Sequence, residues 1–303
     1  MSKVSILIPA RGETEENLTR TIDSMLQNAG GSLADIEIII GFDGCSDYNL
    51  NGYQDRFENI KVVYFPDVVG IKTNITAMAS MATGKYIYKS DAHCRFGKGF
   101  DEILQKDMRE DWIVMPRFKI IRPDWSIQMR DGQEEIYDYF YLCCPLTDSR
   151  GYRFKAAGHW RERTDERLDT LIDETPQIHG SGWFMERDHY FRLGGFPNID
   201  PHGHGMEPIN LALKNWLMGG KVMVNKKTFY AHLHQQGNKR GYHMSREQEV
   251  HTYLTTAEHW MGDKEPNLIH GIRWFVNEKF PNMPTWSANW EQLQKEYEKN
   301  KTN

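Results

Sequence analysis

An aspartate and a histidine two residues apart, Asp91-Ala92-His93, follow the run Tyr86-Ile87-Tyr88-Lys89-Ser90. In an extended chain residues i and i+2 share a face, so this carboxylate and imidazole can close on one divalent cation. Oxygen and imidazole together suit Mn²⁺ and related ions such as Mg²⁺ without choosing among them. Two histidine pairs repeat the spacing, His202 with His204 and His232 with His234. A zinc site of four imidazoles is one arrangement of these, although Gly203 intervenes and no cysteine supports it. Asp43 comes just after the apolar run Ile36–Gly41 and just before Gly44; it either caps that turn or faces a ligand that the glycine admits. Glu207 opens a helical pattern, where an acid also gains from the helix dipole.

The elements that must position these residues alternate between β-branched runs and helical spacing over the first 120 residues, in the order β-α-β-β-α-β-α-β. Strands are expected at Val4–Ile8, Ile36–Gly41, Val62–Phe65 and Tyr86–Ser90. Leu18, Ile22, Met25 and Leu26 mark one helix, and Ile71, Ile75, Met78, Ala79 and Ala82 a second. In an open, mostly parallel sheet, ligands collect at the carboxyl ends of strands. Residues 9–12, 42–47 and 91–95 should therefore line one crevice. From 120 to 200 the pattern is irregular: a helix is expected at Glu134–Leu142, a basic stretch runs from Ser149 to Arg167, and a short strand follows Gly180-Ser181-Gly182. Beyond it come a helix at Glu207–Met218, a strand at Lys221–Val224, and a Ser245-x-x-Gln248 capping box opening a helix to about Trp260. Helical segments near 266–280 and 287–299 complete the chain.

Four stretches together resemble one known family, the GT-A glycosyltransferases, in particular the polypeptide N-acetylgalactosaminyltransferases and their family-2 relatives. They are Val4-Ser5-Ile6-Leu7-Ile8-Pro9, Ile38-Ile39-Ile40-Gly41-Phe42-Asp43-Gly44-Cys45-Ser46-Asp47, Ala82-Thr83-Gly84-Lys85 through Asp91-Ala92-His93-Cys94, and Gly194-Gly195-Phe196 through Glu207 to Gly219-Gly220. They fall in the family's order over roughly the first 245 residues. Departures are plain: Phe42 stands where the family has a first aspartate, and His204-Gly205-Met206-Glu207-Pro208 replaces the family's Trp-Gly-Gly-Glu-Asn.

The resemblance implies an α/β fold of GT-A type: a Rossmann-like nucleotide-diphospho-sugar transferase with a mixed, mostly parallel central sheet. Residues 1–245 would be the catalytic domain, with a nucleotide-binding half (1–120) and a sugar and acceptor half (121–245), and 246–303 a helical extension. It implies that Asp91, His93 and His232 hold Mn²⁺ or another divalent cation, His232 lying at the family's distance beyond Gly219-Gly220. Pro9, Arg11, Asp43, Lys72, Asn74, Gly182 and Trp183 would face a nucleoside diphosphate sugar, most naturally UDP-linked. Trp183 has an equal reading as core. Lys239, Arg240 and Tyr242 would close over the diphosphate, or form solvated surface. Asp91 and Glu207 would be catalytic, Glu207 as a positioning group if the anomeric configuration is retained and as a general base if it is inverted. The acceptor would be a hydroxyl.

Rival readings give the acceptor as hydroxymethylated DNA, met by Arg150, Arg153, Lys155, Arg161 and Arg163, or make the chain a non-catalytic nucleotide-sugar-binding module or a zinc metallohydrolase. A net charge of −5 in 303 residues argues against bulk nucleic-acid binding. With 39% hydrophobic and 26% charged residues the chain should form a folded domain, and no apolar run approaches the roughly 20 residues of a membrane span. Without a leader pattern at Met1-Ser2-Lys3-Val4, a cytoplasmic location is expected. Cys45, Cys94, Cys143 and Cys144 form no C-x-x-C pair and are expected as thiols.

Overall fold

The computed structural model describes residues 4–45, 57–147, 158–200, 205–234 and 245–301. In chain order they form β1 (Val4–Ala10), α1 (Glu15–Asn28), β2 (Ile36–Asp43), β3 (Ile60–Phe65), α2 (Ile71–Met81), β4 (Tyr86–Ser90), β5 (Cys94–Phe96), α3 (Phe100–Asp107) and β6 (Trp112–Ile121). Short strands follow: β7 (Met129–Arg130), β8 (Gln133–Glu134), β9 (Ile136–Tyr137), β10 (Phe140–Tyr141) and β11 (Gly158–His159). Then come α4 (Arg161–Glu166), β12 (Ile172–Glu174), β13 (Gly182–Glu186), α5 (Arg187–Arg192), α6 (Glu207–Leu217) and β14 (Lys221–Leu233). The last helices are α7 (Arg246–Met261), α8 (Ile272–Trp274), which runs on as a π turn over Phe275–Lys279, and α9 (Trp290–Lys301).

The main sheet has the order β12-β14-β6-β13-β4-β1-β2-β3, with β5 paired to β14 and β9 to β6. β3, β2, β1 and β4 are parallel, β13 is antiparallel to both β4 and β6, and β14 is parallel to β6. Those four strands, β6 and β14 therefore all point the same way, and their carboxyl ends share one edge. β1 and β2 are buried almost throughout, as the continuous apolar runs of a two-sided sheet require. Leu18, Ile22 and Met25 of α1 bury one face at helical spacing. Thr21 Oγ1 and Ser24 Oγ of the same helix accept the Cys94 and Phe96 N–H groups at 2.9 and 3.0 Å, which fixes β5 beneath it.

Glu37 is a buried polar hub on β2. It accepts from Ser5 Oγ at 2.5 Å, Thr83 N at 2.9 Å and Thr83 Oγ1 at 3.1 Å, and pairs with the Lys61 ammonium. One carboxylate thus joins β1, β2, β3 and the turn before β4. Burial pulls its pKa up, but Lys61, Ser5 and Thr83 outweigh burial and hold it below the usual glutamate value.

Two sequence expectations are corrected. Residues 134–142 are not a helix but the short strands β8, β9 and β10, because Ile136 and Tyr137 pair with Lys119 and Phe118 of β6. Asp138 between them is drawn inward onto Arg117, with two hydrogen bonds of 2.8 Å. The strand expected to end at Val224 runs on to Leu233, passing a break in its register with β6 between Asn225 and Phe229. From 246 on, the chain shares the main core: Trp260 Nε1 donates to Asn210 Oδ1 at 2.8 Å, Trp286 Nε1 to the Leu142 carbonyl at 2.6 Å, and Phe275, Phe280 and Trp290 are buried. Among the described residues no helix is long and apolar enough to cross a membrane.

Candidate metal and donor site

Asp91 and His93 occupy the turn from β4 into β5, and His232 is the penultimate residue of β14, level with Cys94 across the sheet. The Leu233 N–H donates to the His93 carbonyl at 3.0 Å, and the Asp91 N–H to the Ser181 carbonyl at 3.0 Å. These backbone bonds staple β4–β5, β14 and the start of β13 together at the sheet's carboxyl edge. Ligand atoms of Asp91, His93 and His232 lie within 4.8 Å of one another. His232 Nε2 is 3.1 Å from Asp91 Oδ2, and the Nδ1 of its buried ring has no hydrogen-bond partner among the described residues. Glu13, just before α1, brings a carboxylate oxygen within 3.1 Å of His93 Nδ1.

Charge organises this cluster. Burial pushes the Asp91 carboxyl up, but Lys89, His232 and His93 overcome it and hold Asp91 well below the usual range. Burial dominates at His232 and drives it down to about 3, so its ring is neutral at pH 7. Burial also lowers His93, yet Glu13 and Asp91 raise it above the ordinary histidine value. One carboxylate oxygen and two imidazole nitrogens in a partly buried pocket fit a divalent cation. Metal ligands must shed their protons, so a cation here would take the place of the ring proton that His232 Nε2 shares with Asp91.

The other residues singled out in the sequence divide into those near the cluster and those with structural work. Glu207, at the first turn of α6, is buried and accepts the Gly205 N–H at 2.8 Å through Oε2. Its Oε1 faces Gly180, where a Cβ would stand only 3.5 Å away. Pro9 lies in β1 beside Gly41, and Arg11 follows that strand's carboxyl end. Asp43 is buried with both oxygens engaged, Oδ1 by the Val69 N–H at 2.7 Å and Oδ2 by the Gly70 N–H at 3.2 Å. It holds the loop leading into α2 and not the turn after its own strand. Asn74 donates to the Gly41 carbonyl at 2.8 Å, and any side chain at Gly41 would overlap its amide.

Lys72, Gly182 and Trp183, expected as donor contacts, each have packing or hydrogen-bond partners within the protein. The Lys72 ammonium is buried and donates to the Ile199 and Asp200 carbonyls at 2.6 and 2.9 Å, strapping α2 to the segment before α6. A Cβ at Gly182 would press to 2.8 Å from the Tyr230 ring, so this glycine lets β13 lie against β14. Trp183 is fully buried and stacks on Tyr190 at 6.4 Å, as its reading as core expects. Lys239, Arg240 and Tyr242 lie outside the described residues, as do His202, His204, Arg150, Arg153 and Lys155. Of the basic stretch that is described, Arg163 and Arg167 pair with Asp173 at 3.4 and 3.1 Å, and Arg161 stands 3.9 Å from Glu135.

Sequence reasoning missed Lys89, Glu13 and His179. Lys89 was findable, since its i, i+2 relation to Asp91 puts both on one face. His179 stacks on Phe118 at 4.4 Å, lies 5.6 Å from the His232 ring, and has Nδ1 2.6 Å from Ser181 Oγ. Nothing local marks Glu13, which depends on where α1 begins.

The sheet order, with one reversed strand between two parallel sets, and a polar cluster at the carboxyl edge define a GT-A glycosyltransferase fold. Among solved structures, GalNAc-T7 with UDP, GalNAc and Mn²⁺ superposes with a TM-score of 0.66 at 18% identity, over 94% of this chain and 58% of that one. S. aureus TarS residues 1–349 in complex with UDP-GlcNAc gives 0.53 at 13% identity, over 97% and 71%. Residues 5–190 match the model of glycosyl transferase family 2, and the chain belongs to that family. In sequence it is 25% identical over 274 residues to human polypeptide N-acetylgalactosaminyltransferase 15, covering 85% of this chain and 40% of the relative. Across the curated relatives it matches, the chain spans between 39% and 63% of their length.

Proposed function

We propose that the protein is a divalent-metal-dependent glycosyltransferase that moves a sugar from a UDP-sugar to a hydroxyl acceptor. The observation that carries this reading is the convergence of Asp91, His93 and His232 at the carboxyl edge of the sheet. That edge is where an open α/β sheet places a nucleotide. GalNAc-T7, similar in fold, was crystallised with UDP and Mn²⁺, which supports the same donor and cation here.

In this reading Asp91, His93 and His232 hold Mn²⁺. Bound there, the ion supplies Lewis-acid stabilisation of the negative charge that grows on the departing diphosphate. The protein's own part is to aim the three ligands, which the backbone bonds Leu233 N to His93 O and Asp91 N to Ser181 O accomplish. Pro9 and Arg11 border the nucleotide pocket, while Asp43 and Asn74 brace its wall through Val69, Gly70 and Gly41. Glu207 faces Gly180 beside the metal cluster and is assigned to the sugar or the acceptor hydroxyl. It positions them if the configuration is retained and takes the acceptor proton if it is inverted. Lys239, Arg240 and Tyr242 would cover the diphosphate.

Incubation with UDP-GalNAc, UDP-GlcNAc, UDP-glucose and UDP-galactose tests the reading. Release of UDP from one of these donors in Mn²⁺, abolished by EDTA and by His93→Ala, is expected. No Mn²⁺-dependent release and no UDP binding would overturn it.

A further inference from the structure

Lys89 is a buried cation pressed against the metal cluster from within the protein. Its side chain is 1% exposed, its neighbours across the sheet are Leu7 and Trp183, and its ammonium reaches the strand's carboxyl end. There it pairs with Asp91 Oδ1 and donates to the Gly180 carbonyl at 2.5 Å. A charge taken this far out of water is costly unless its partners satisfy it, and here both partners belong to the candidate site. Asp91 is thereby divided: Oδ1 is held by Lys89, and only Oδ2, 3.1 Å from His232 Nε2, is presented to a cation.

We infer that Lys89 is a positioning residue that makes the cation's binding conditional on the nucleotide diphosphate; this rests on the function proposed above. The argument is one of charge. Asp91 is the one carboxylate among the three ligands, the other two being imidazoles that bind a cation through an uncharged nitrogen, and Lys89 pairs with that carboxylate at contact distance. Glu13 contributes a negative charge behind His93, but as the partner of an imidazole and not as a ligand. A divalent cation entering without the nucleotide therefore meets a ligand set with little net attraction and a fixed positive charge beside it. A diphosphate brings its own negative oxygens and restores that attraction, so metal and nucleotide each tighten the other by the same factor. The Gly180 carbonyl bond extends the arrangement, because Gly180 also faces Glu207. The lysine that tunes the cation site thus also holds the loop between that site and the carboxylate assigned to the sugar.

The experiment is a Mn²⁺ titration read by the electron paramagnetic resonance of the free ion, with and without UDP, on the whole chain. Wild type should bind Mn²⁺ weakly alone and at least tenfold more tightly with UDP. Lys89→Met should bind Mn²⁺ alone at least tenfold more tightly than wild type and show a correspondingly smaller effect of UDP. Lys89→Arg, which keeps the charge, should behave as wild type. Circular dichroism checks that each variant folds, and Lys89→Gln serves in the same test if Lys89→Met does not. Unchanged or weaker Mn²⁺ binding in the neutral variants, while wild type still binds Mn²⁺ with UDP, would overturn the role of Lys89 and leave the proposed function standing. No Mn²⁺ binding by wild type under either condition would overturn both.

Discussion

The stretch from β1 to β4 and the stretch after β6 are built on different principles. From β1 to β4, long strands are interspersed with amphipathic helices, β1 and β2 are buried on both faces, and β2 and β3 each pair with the strand before them in sequence. From residue 122 to 178 the strands are two or three residues long, and their places are set by what lies beside them: Tyr137 on Phe118, Phe140 on His159, Asp138 on Arg117. Side-chain pattern specifies the first stretch and tertiary pairing the second. The cluster at the carboxyl edge draws on both, with Asp91 and His93 from the first kind of structure and His232 from a strand whose end is fixed by its pairing with β5 and β6.

This difference predicts unequal responses to mutation. The largest effect is expected at Asp138, which is fully buried, bonded to Arg117 and 3.8 Å from the buried Lys226 ammonium. Asp138→Ala leaves those cations without their carboxylate and should cost about 3–5 kcal/mol in urea denaturation. A loss under 1 kcal/mol would show that the irregular stretch does not hang on its polar pair. Next comes Glu37→Gln in the regular stretch, expected to cost about 2 kcal/mol at pH 7 because several partners share the loss. Glu37 has a lowered folded pKa, so its contribution is complete above about pH 5 and fades as pH falls through that folded value. The gap between wild type and variant should therefore narrow in acid; a gap that widens there contradicts the assignment. The smallest effect is expected at Thr14, the N-cap of α1, whose side chain accepts the Asn17 N–H at 3.2 Å. Thr14→Ala should cost about 0.5–1 kcal/mol by thermal melting, since burial of Leu18, Ile22 and Met25 holds the helix without its cap.

Legibility in the sequence follows the same division. Val4–Ile8, Ile36–Gly41 and Tyr86–Ser90 read as strands because they are short, rich in β-branched or aromatic residues and bounded by Pro9, Gly41 and Gly84. The segment Glu134–Leu142 reads as a helix when taken alone; its strands exist only because β6 lies beside it. The Asp91-x-His93 spacing already suggests a cation site, and His232 follows from the family resemblance. Lys89 and Glu13 were not read from the pattern: one is a lysine inside a buried strand, the other an acid whose place depends on the start of α1. Lys72 and Trp183, read as donor contacts, are buried, Lys72 on the Ile199 carbonyl and Trp183 against Tyr190, which no local pattern announces.

The central claim is that Asp91, His93 and His232 form a cation site that serves a nucleotide diphosphate. Isothermal calorimetry of UDP binding, in Mn²⁺ and in EDTA, for wild type and Asp91→Ala tests it most directly. The account predicts that wild type binds UDP at least tenfold more tightly in Mn²⁺ than in EDTA, and that Asp91→Ala loses this difference. Equal affinities for wild type in Mn²⁺ and EDTA, or a metal effect that survives Asp91→Ala intact, would contradict it.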